Sequence, residues 1–107
     1  MRYILNSAVI TAEGKYEYRL LDKKQAKEWL SVGPYENTIG YQETCDAFFL
    51  IFGKRIKINR KLIKMEKGDQ ALVFRLTCRL QDVGQKGKLS ILFILENCEI
   101  GLIIKTE

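Results

Sequence analysis

A helix that is apolar on nearly every side places the strongest constraint on what this chain can fold into. Residues 41–52 follow Gly40, which breaks an extended segment, and their apolar side chains keep helical spacing. A helix of this kind has to be covered on more than one side. In a chain of 107 residues, a second subunit is one candidate for part of that cover. The residues that carry the pattern are Cys45, Ala47, Phe48, Phe49, Leu50, Ile51 and Phe52.

The N-terminal part of the chain predicts two strands and another helix. Residues 2–10 are rich in Ile, Leu, Val and Tyr, although Asn6 and Ser7 interrupt the run, and residues 16–21 form a shorter strand. Asp22 is placed to begin a helix that ends at a Gly-Pro pair. That helix has a capping-box partner at Gln25 and an apolar stripe at Ala26, Trp29 and Leu30.

The C-terminal half predicts the rest of a sheet. Residues 71–79 alternate cleanly between apolar and polar side chains, and residues 99–105 close the chain as a last strand. Residues 62–65 predict a strand that reaches 71–79 through a hairpin turn at 66–70. Residues 89–95 are apolar without a clear period, so helix and strand both remain open. Together these elements predict an α/β fold, a mixed β-sheet flanked by two or three helices.

The composition excludes several classes of function. No apolar run approaches membrane-spanning length, and the first residues are too polar for a signal peptide. The chain has no histidine, which removes the commonest general acid–base and the commonest metal ligand. Cys45, Cys78 and Cys98 lack metal or redox spacing and indicate reduced thiols in a cytoplasmic protein. We therefore expect one domain over residues 1–107, with no metal, no cofactor and no membrane partner.

Two groups of basic residues contribute to the formal net charge of +5, and each has two interpretations. Arg75 and Arg79 share one strand face about 13 Å apart, which suits either two phosphates of one ligand or a solvated sheet face. Seven of the fourteen residues in 54–67 are basic, which fits a nucleic-acid backbone or an edge strand protected by lysines. No aromatic residue interleaves with that run, so a stable DNA or RNA partner is not expected.

The start of the helix at Gly40 and Tyr41 offers free backbone N–H groups, which attract anions. Glu43 counts against a phosphate there, because a carboxylate in the first turn would itself occupy or repel the position. From its residues alone, the chain is therefore a small basic protein suited to an anionic ligand that the residues do not name.

Five stretches, in the same order along the chain, resemble one family. They are LNSAV (5–9), IGYQET (39–44), NRKLIKMEKGDQAL (59–72), RL (79–80) and EIGLI (99–103). They resemble the small viral and mobile-element proteins whose best-understood members are ring nucleases of the type III anti-CRISPR class. The resemblance implies a homodimer with a mixed sheet, in the cytoplasm of the host cell. Its pocket would cross the dimer interface and bind cyclic tetra-adenylate, the alarm molecule of type III CRISPR defence.

The site residues of that family transfer unevenly to this chain. The resemblance implies ligand-binding roles for six residues and degenerate catalytic positions for two. The active enzymes carry histidine where this chain has Tyr41, and glutamate followed by glycine where it has Asp82 and Val83. The six ligand-binding positions are Asn6, Ser7, Thr44, Arg60, Arg75 and Arg79, of which Arg75 stands where some members have glutamine.

The change at Tyr41 bears directly on catalysis. In the family, the ligand's own 2′-hydroxyl attacks the neighbouring phosphate, and histidine protonates the departing 5′-oxygen. A tyrosine hydroxyl is a far weaker acid than an imidazolium, and losing a general acid typically slows a reaction by about 10²–10⁴-fold. Tyr41 can still stack on adenine or donate a hydrogen bond to a phosphate, or it is a plain structural aromatic.

The resemblance therefore predicts a protein that binds and sequesters a cyclic oligonucleotide or related nucleotide signal without cutting it efficiently. One alternative is a slow, metal-independent ring nuclease in which Asp82 replaces the glutamate. A second alternative is a small nucleic-acid-binding regulator that uses the basic residues of 54–67.

Overall fold

The computed structural model describes residues 1–77, 94 and 96–107. These residues form a five-stranded mixed sheet and two helices. No helix in this part has the length and apolar character that a membrane-spanning segment needs. In chain order the elements are β1 (Arg2–Leu5), β2 (Tyr16–Leu20), α1 (Lys23–Ser31), β3 (Glu36–Asn37), α2 (Gln42–Phe52), β4 (Gln70–Leu76) and β5 (Cys98–Lys105).

The strand order is β2-β5-β4-β1-β3, with β1 next to the sheet edge. β1 pairs in parallel with both β3 and β4, whereas β5 pairs antiparallel with β4 and β2. The predicted α/β fold with a mixed sheet is therefore confirmed. Since the carboxyl ends of parallel strands meet at one edge of a sheet, the residues that follow β1 and β3 lie side by side.

Helix α1 begins as its sequence predicts. The Asp22 carboxylate accepts a hydrogen bond from the Gln25 N–H at 2.7 Å, and the Gln25 side-chain oxygen accepts one from the Asp22 N–H at 2.9 Å. This reciprocal pair satisfies two backbone donors that would otherwise lack partners in the helix. The predicted apolar stripe of Ala26, Trp29 and Leu30 is buried against the sheet.

Helix α2 shares that face of the sheet, and most of its apolar side chains are buried within one chain. The Phe48 ring meets the Phe74 ring of β4 edge-on, with centroids 5.6 Å apart. Burial also raises the pKa of the Cys45 thiol. Phe49 and Leu50 of this helix are only partly buried, so a second subunit as part of its cover stays a prediction. Its buried residues are Thr44, Cys45, Ala47, Phe48, Ile51 and Phe52.

The alternation of β4 divides its side chains between two apolar clusters. Leu72 and Phe74 pack with the helices, and Ala71 and Val73 pack on the opposite face. That opposite face is covered partly by residues 61–65, whose Ile63 and Met65 are buried. Both faces of the central strand are thus shielded from water, which suits a strand that pairs in parallel.

Three sequence predictions need correction. The first strand ends at Leu5 rather than at residue 10. Residues 62–65 do not form a strand, and 66–70 does not join a hairpin, because β1 and β5 occupy both sides of β4. The open question about residues 89–95 lies outside the described residues, apart from Ile94, which is helical and buried.

Asp69, just before β4, joins the N-terminus to the turn that precedes β4. Burial alone would raise the pKa of its carboxyl. Hydrogen bonds from the Glu66 N–H (2.8 Å) and the Met1 ammonium (3.0 Å) outweigh burial and hold the pKa below its ordinary value. A carboxylate whose pKa is lowered by folding stabilises the protein above its ordinary pKa of about 3.9, and this stability is lost as the pH falls through the lower folded value.

We therefore expect Asp69→Asn to lower the free energy of unfolding at pH 7 by about 1–3 kcal/mol. The difference between wild type and variant should shrink below about pH 4, where the carboxylate of the unfolded chain becomes protonated, and should vanish at the lower pH at which the native carboxylate is protonated as well. Urea unfolding at several pH values measures both effects, with Asp46→Asn on the exposed side of α2 as the control. Equal stability of wild type and Asp69→Asn at pH 7 would refute this account.

Candidate functional site

A cleft of about 410 Å³ opens at the carboxyl edge of β1 and β3. It is lined by residues from three segments, within 5–9, within 38–41 and at 60–62. The first segment leaves β1, the second connects β3 to α2, and the third belongs to the irregular chain between α2 and β4. Ligands of open α/β sheets commonly bind at this edge, where successive connections diverge.

Backbone and side-chain hydrogen bonds fix the connection between β3 and α2. The Thr38 N–H and hydroxyl both donate to the Ile4 carbonyl, at 2.9 and 2.8 Å. The Asn59 N–H donates to the Ile39 carbonyl at 2.9 Å, and its side-chain amide donates to the Asn37 carbonyl at 2.7 Å. These bonds hold the second and third segments together, so Arg60 is placed directly opposite the start of α2.

Gly40 allows Arg60 to lie across the mouth of the helix. A Cβ atom at position 40 would come 2.7 Å from the Arg60 Cγ and 2.9 Å from its Cβ. Those two atoms belong to the base of the side chain, which cannot swing away as its tip can. The absence of a side chain at Gly40 is therefore what lets the Arg60 stem pack there.

The Arg60 guanidinium reaches Tyr41. Its Nη2 donates to the Tyr41 hydroxyl oxygen at 3.2 Å, and its Cζ lies 5.2 Å from the centroid of the Tyr41 ring. Arginine carries five N–H donors, so most of them stay available to a ligand. The Tyr41 hydroxyl accepts this bond and can still donate its own hydrogen.

Tyr41 also begins α2. Its backbone is extended, its carbonyl accepts from the Cys45 N–H at 3.1 Å, and its side chain makes no capping bond to the helix. The side chain is free to point outwards for that reason and is half exposed. The tyrosine therefore occupies the entrance of the cleft rather than the core.

The cleft has two cations and an apolar rim. Arg60 and Lys61 both line it, and the Lys61 ammonium pairs with the Glu36 carboxylate at 2.5 Å. Val9 and Leu62 line the cleft with exposed apolar side chains, Leu62 being 75% exposed. None of the described lining residues is an acid. The arrangement suits a ligand that combines negative charge with a flat apolar group.

The structure brings together some of the residues named from the sequence and separates others. Asn6, Ser7, Tyr41 and Arg60 meet in the cleft. Thr44 is buried inside the first turn of α2 and is not among the residues that line it.

Arg75 contacts an acidic side chain of the neighbouring strand. The Arg75 guanidinium meets the Glu99 carboxylate at 3.3 Å, on the exposed part of the sheet. Glu99 also accepts a hydrogen bond from the Tyr18 hydroxyl at 3.0 Å. Arg79 and Asp82, like Cys78, lie outside the described residues.

Sequence reasoning missed Lys61 and Thr38. Lys61 directly follows Arg60, and on a regular strand two neighbours point to opposite faces. The irregular backbone at 54–65 lets both face the cleft. No group of three His, Cys, Asp or Glu side chains in the described part of the chain is placed to hold a metal ion.

Comparisons with known proteins agree with this architecture. B116 of Sulfolobus turreted icosahedral virus (STIV) superposes with a TM-score of 0.82 at 22% identity, over 96% of this chain and 97% of that one. Protein 26 of a Sulfolobus islandicus filamentous virus is 33% identical over 86 residues, which cover 77% of this chain and 73% of the relative. Protein YddF of Bacillus subtilis is 34% identical over 74 residues, or 67% and 68% of the two chains. Residues 2–92 match the profile of the STIV B116-like proteins, and this chain belongs to that family.

Proposed function

We propose that this protein binds and sequesters a cyclic oligonucleotide immune signal, with cyclic tetra-adenylate as the first candidate. The observation that carries the proposal is the meeting of Asn6, Ser7, Tyr41 and Arg60 in one cleft. These residues come from separate parts of the chain, and the family resemblance assigns all four to a nucleotide pocket. Sequestration of the signal would disarm a defence system without cutting the molecule.

Phosphate recognition rests on Arg60. Its guanidinium can form two parallel hydrogen bonds to phosphate oxygens while one N–H remains on Tyr41. The backbone N–H groups at the start of α2 add a favourable field for negative charge. Glu43 in the first turn opposes that field, so the arginine supplies the main attraction.

Base recognition rests on the apolar rim. Tyr41 offers an aromatic face, and Val9 and Leu62 extend it with exposed apolar surface. Stacking of a base on an aromatic side chain contributes about 1–3 kcal/mol. An adenine placed on this rim would cover side chains that are otherwise open to water.

The size of the cleft favours a symmetric assembly. A volume of about 410 Å³ lies at the lower end of ligand pockets, and it suits one nucleotide unit better than a ring of four. Two clefts related by a two-fold axis would hold such a ring, so a homodimer is part of the proposal. The exposed cleft rim is the surface on which the two copies would meet.

Calorimetry with cyclic tetra-adenylate and with other cyclic signalling nucleotides tests the proposal. We expect binding at micromolar concentrations or below, with one ring per two chains. Light scattering should show the dimer. Absence of binding by every cyclic nucleotide at these concentrations would disprove it.

One observation favours slow cleavage as a second candidate. The Tyr41 hydroxyl accepts from Arg60, so its own hydrogen can reach a departing oxygen. Correct positioning alone can support slow turnover without an efficient acid. Single-turnover assays with excess protein separate the two candidates, since a pure binder leaves cyclic tetra-adenylate intact after hours.

The exposed basic residues within 54–67 favour a third candidate function, that of a nucleic-acid-binding regulator. Lys54, Arg55 and Lys57 are all exposed on one stretch of chain. Binding of this kind weakens steeply with salt because phosphate contacts release counterions. A gel shift at low salt that shows no retardation of DNA or RNA would exclude it.

Replacing Tyr41 with phenylalanine distinguishes the two roles of its side chain. If the hydroxyl donates to a phosphate, Tyr41→Phe should weaken binding of cyclic tetra-adenylate by about 0.5–1.5 kcal/mol. If only the ring acts, Tyr41→Phe should bind as wild type does and Tyr41→Ala should not. Calorimetric titration of the three proteins decides, and unchanged affinity of Tyr41→Ala would remove Tyr41 from the site.

A further inference from the structure

Lys61 is a second cation of the cleft, and no part of the family resemblance assigns it a role. It lines the cleft beside Arg60, and its ammonium contacts the Glu36 carboxylate at 2.5 Å. Both members of this pair remain partly open to water, the Lys61 side chain being 51% exposed and the Glu36 side chain 28%. An ion pair as exposed as this one is weak and exchanges partners readily.

The position of Glu36 explains why the lysine has a partner at all. Glu36 lies on the two-residue strand β3 at the edge of the sheet, opposite Tyr3 of β1. It is not among the residues that line the cleft. The Glu36 carboxylate therefore binds the Lys61 ammonium outside the cleft. The Lys61 side chain is flexible, and its stem borders the cleft.

We infer that Lys61 is a phosphate-binding residue and that Glu36 competes with the ligand for it. This inference rests on the proposed function and deepens it. Arg60 binds one phosphate group of the ligand. Lys61 breaks its ion pair with Glu36 and binds a second phosphate group. The ligand class is thus an oligonucleotide or polyphosphate with at least two phosphates, not a mononucleotide with a single charged group. Glu36 lowers the affinity because its ion pair with the charged lysine must break before such a ligand can bind.

The two side chains should respond in opposite directions. Lys61→Gln should weaken binding of cyclic tetra-adenylate on the order of tenfold, since it removes a charged hydrogen-bond donor. Glu36→Gln should tighten binding roughly threefold, because the competing partner of an exposed pair is lost. In the Lys61→Gln background, Glu36→Gln should have no further effect. If the Glu36 carboxylate acted only by repelling the anionic ligand, Glu36→Gln would still tighten binding in the Lys61→Gln background.

Two probes separate this inference from the proposed function. The affinities of cyclic tetra-adenylate and inorganic pyrophosphate are measured by calorimetry at physiological ionic strength. Wild type is compared with both single variants, the double variant and Lys64→Gln. Lys64 is exposed on the same segment but does not line the cleft, so its loss controls for net charge alone.

The opposite responses with either probe support the inference, even if cyclic tetra-adenylate itself fails to bind and the proposed function falls. Tight binding of cyclic tetra-adenylate that is unchanged by Lys61→Gln, or equal losses for Lys61→Gln and Lys64→Gln, would overturn the inference while the proposed function stands. Binding of neither probe would overturn both.

Discussion

Replacing Tyr41 with histidine is expected to raise the rate of cyclic tetra-adenylate cleavage by as much as about 10²–10⁴-fold. Tyr41 lies at the start of α2, at the entrance of the cleft and in contact with Arg60. An imidazole at that position would stand where the resembling enzymes carry their general acid. Its pKa near neutrality suits proton donation to the departing 5′-oxygen far better than a phenol does. Single-turnover assays with radiolabelled ligand measure the gain.

The gain should be larger when the second altered position is also restored. Asp82 is one methylene shorter than glutamate, and misplacement by about 1 Å can cost on the order of 10²-fold. Tyr41→His with Asp82→Glu should therefore exceed Tyr41→His alone, and Tyr41→Phe serves as the inactive control. If Tyr41→His leaves cleavage at background while binding stays tight, the ring-nuclease interpretation is wrong, and the ligand is a different nucleotide signal.

Loss of the Arg60 guanidinium is expected to have the largest effect on binding. Arg60→Ala should weaken cyclic tetra-adenylate affinity roughly 10- to 100-fold, the value of a hydrogen-bonded charge in contact with phosphate. Gly40→Ala should reproduce much of this loss without touching any charge. Its methyl group would come 2.7 Å from the Arg60 Cγ and push the arginine out of place.

Gly33→Ala is the matched control for that experiment. A Cβ at position 33 would meet only the Arg2 Nη1 atom, at an ordinary 3.7 Å. Thermal unfolding of all three variants verifies that each remains folded. If Gly40→Ala binds as tightly as Gly33→Ala, the packing of Arg60 across Gly40 does not set the affinity.

Local sequence signals predicted the helices well because each helix end is fixed by neighbouring residues. The Asp22–Gln25 capping box and the stripe at Ala26, Trp29 and Leu30 need no information from the rest of the chain. The start of α2 after Gly40 follows from the same local chemistry. These features were therefore readable without knowing the sheet.

The sheet was harder to predict because pairing depends on distant segments. Residues 62–65 alternate between exposed and buried side chains as a strand would, with Ile63 and Met65 inward. Any extended segment that lies on an apolar sheet face shows the same alternation. The structure shows that β4 pairs with β1 on one side and with β5 on the other, so residues 62–65 cannot pair with β4 as a strand.

The candidate site shows the same division. The motif resemblance predicts Asn6, Tyr41 and Arg60 as site residues, and the structure brings all three into one cleft. It did not locate Lys61, because that residue reaches the cleft only through an irregular backbone. Strand spacing predicts that Arg75 shares a face with Arg79, which lies outside the described residues, but it does not reveal the contact of Arg75 with Glu99 on the neighbouring strand. Cross-strand partners of this kind are set by register, which a single strand's pattern does not contain.

The measurement that tests the central claim most directly is amide chemical-shift mapping of the isotopically labelled protein during titration with cyclic tetra-adenylate. The expected result is a set of saturable shifts confined to the cleft and to the start of α2, above all at Asn6, Gly40, Tyr41 and Arg60. The amides of Gly14 and Gly68, which are not among the residues that line the cleft, should stay unchanged. Shifts centred on Arg75 and Glu99 instead, or no shifts at millimolar ligand, would contradict the claim that this cleft binds a cyclic oligonucleotide.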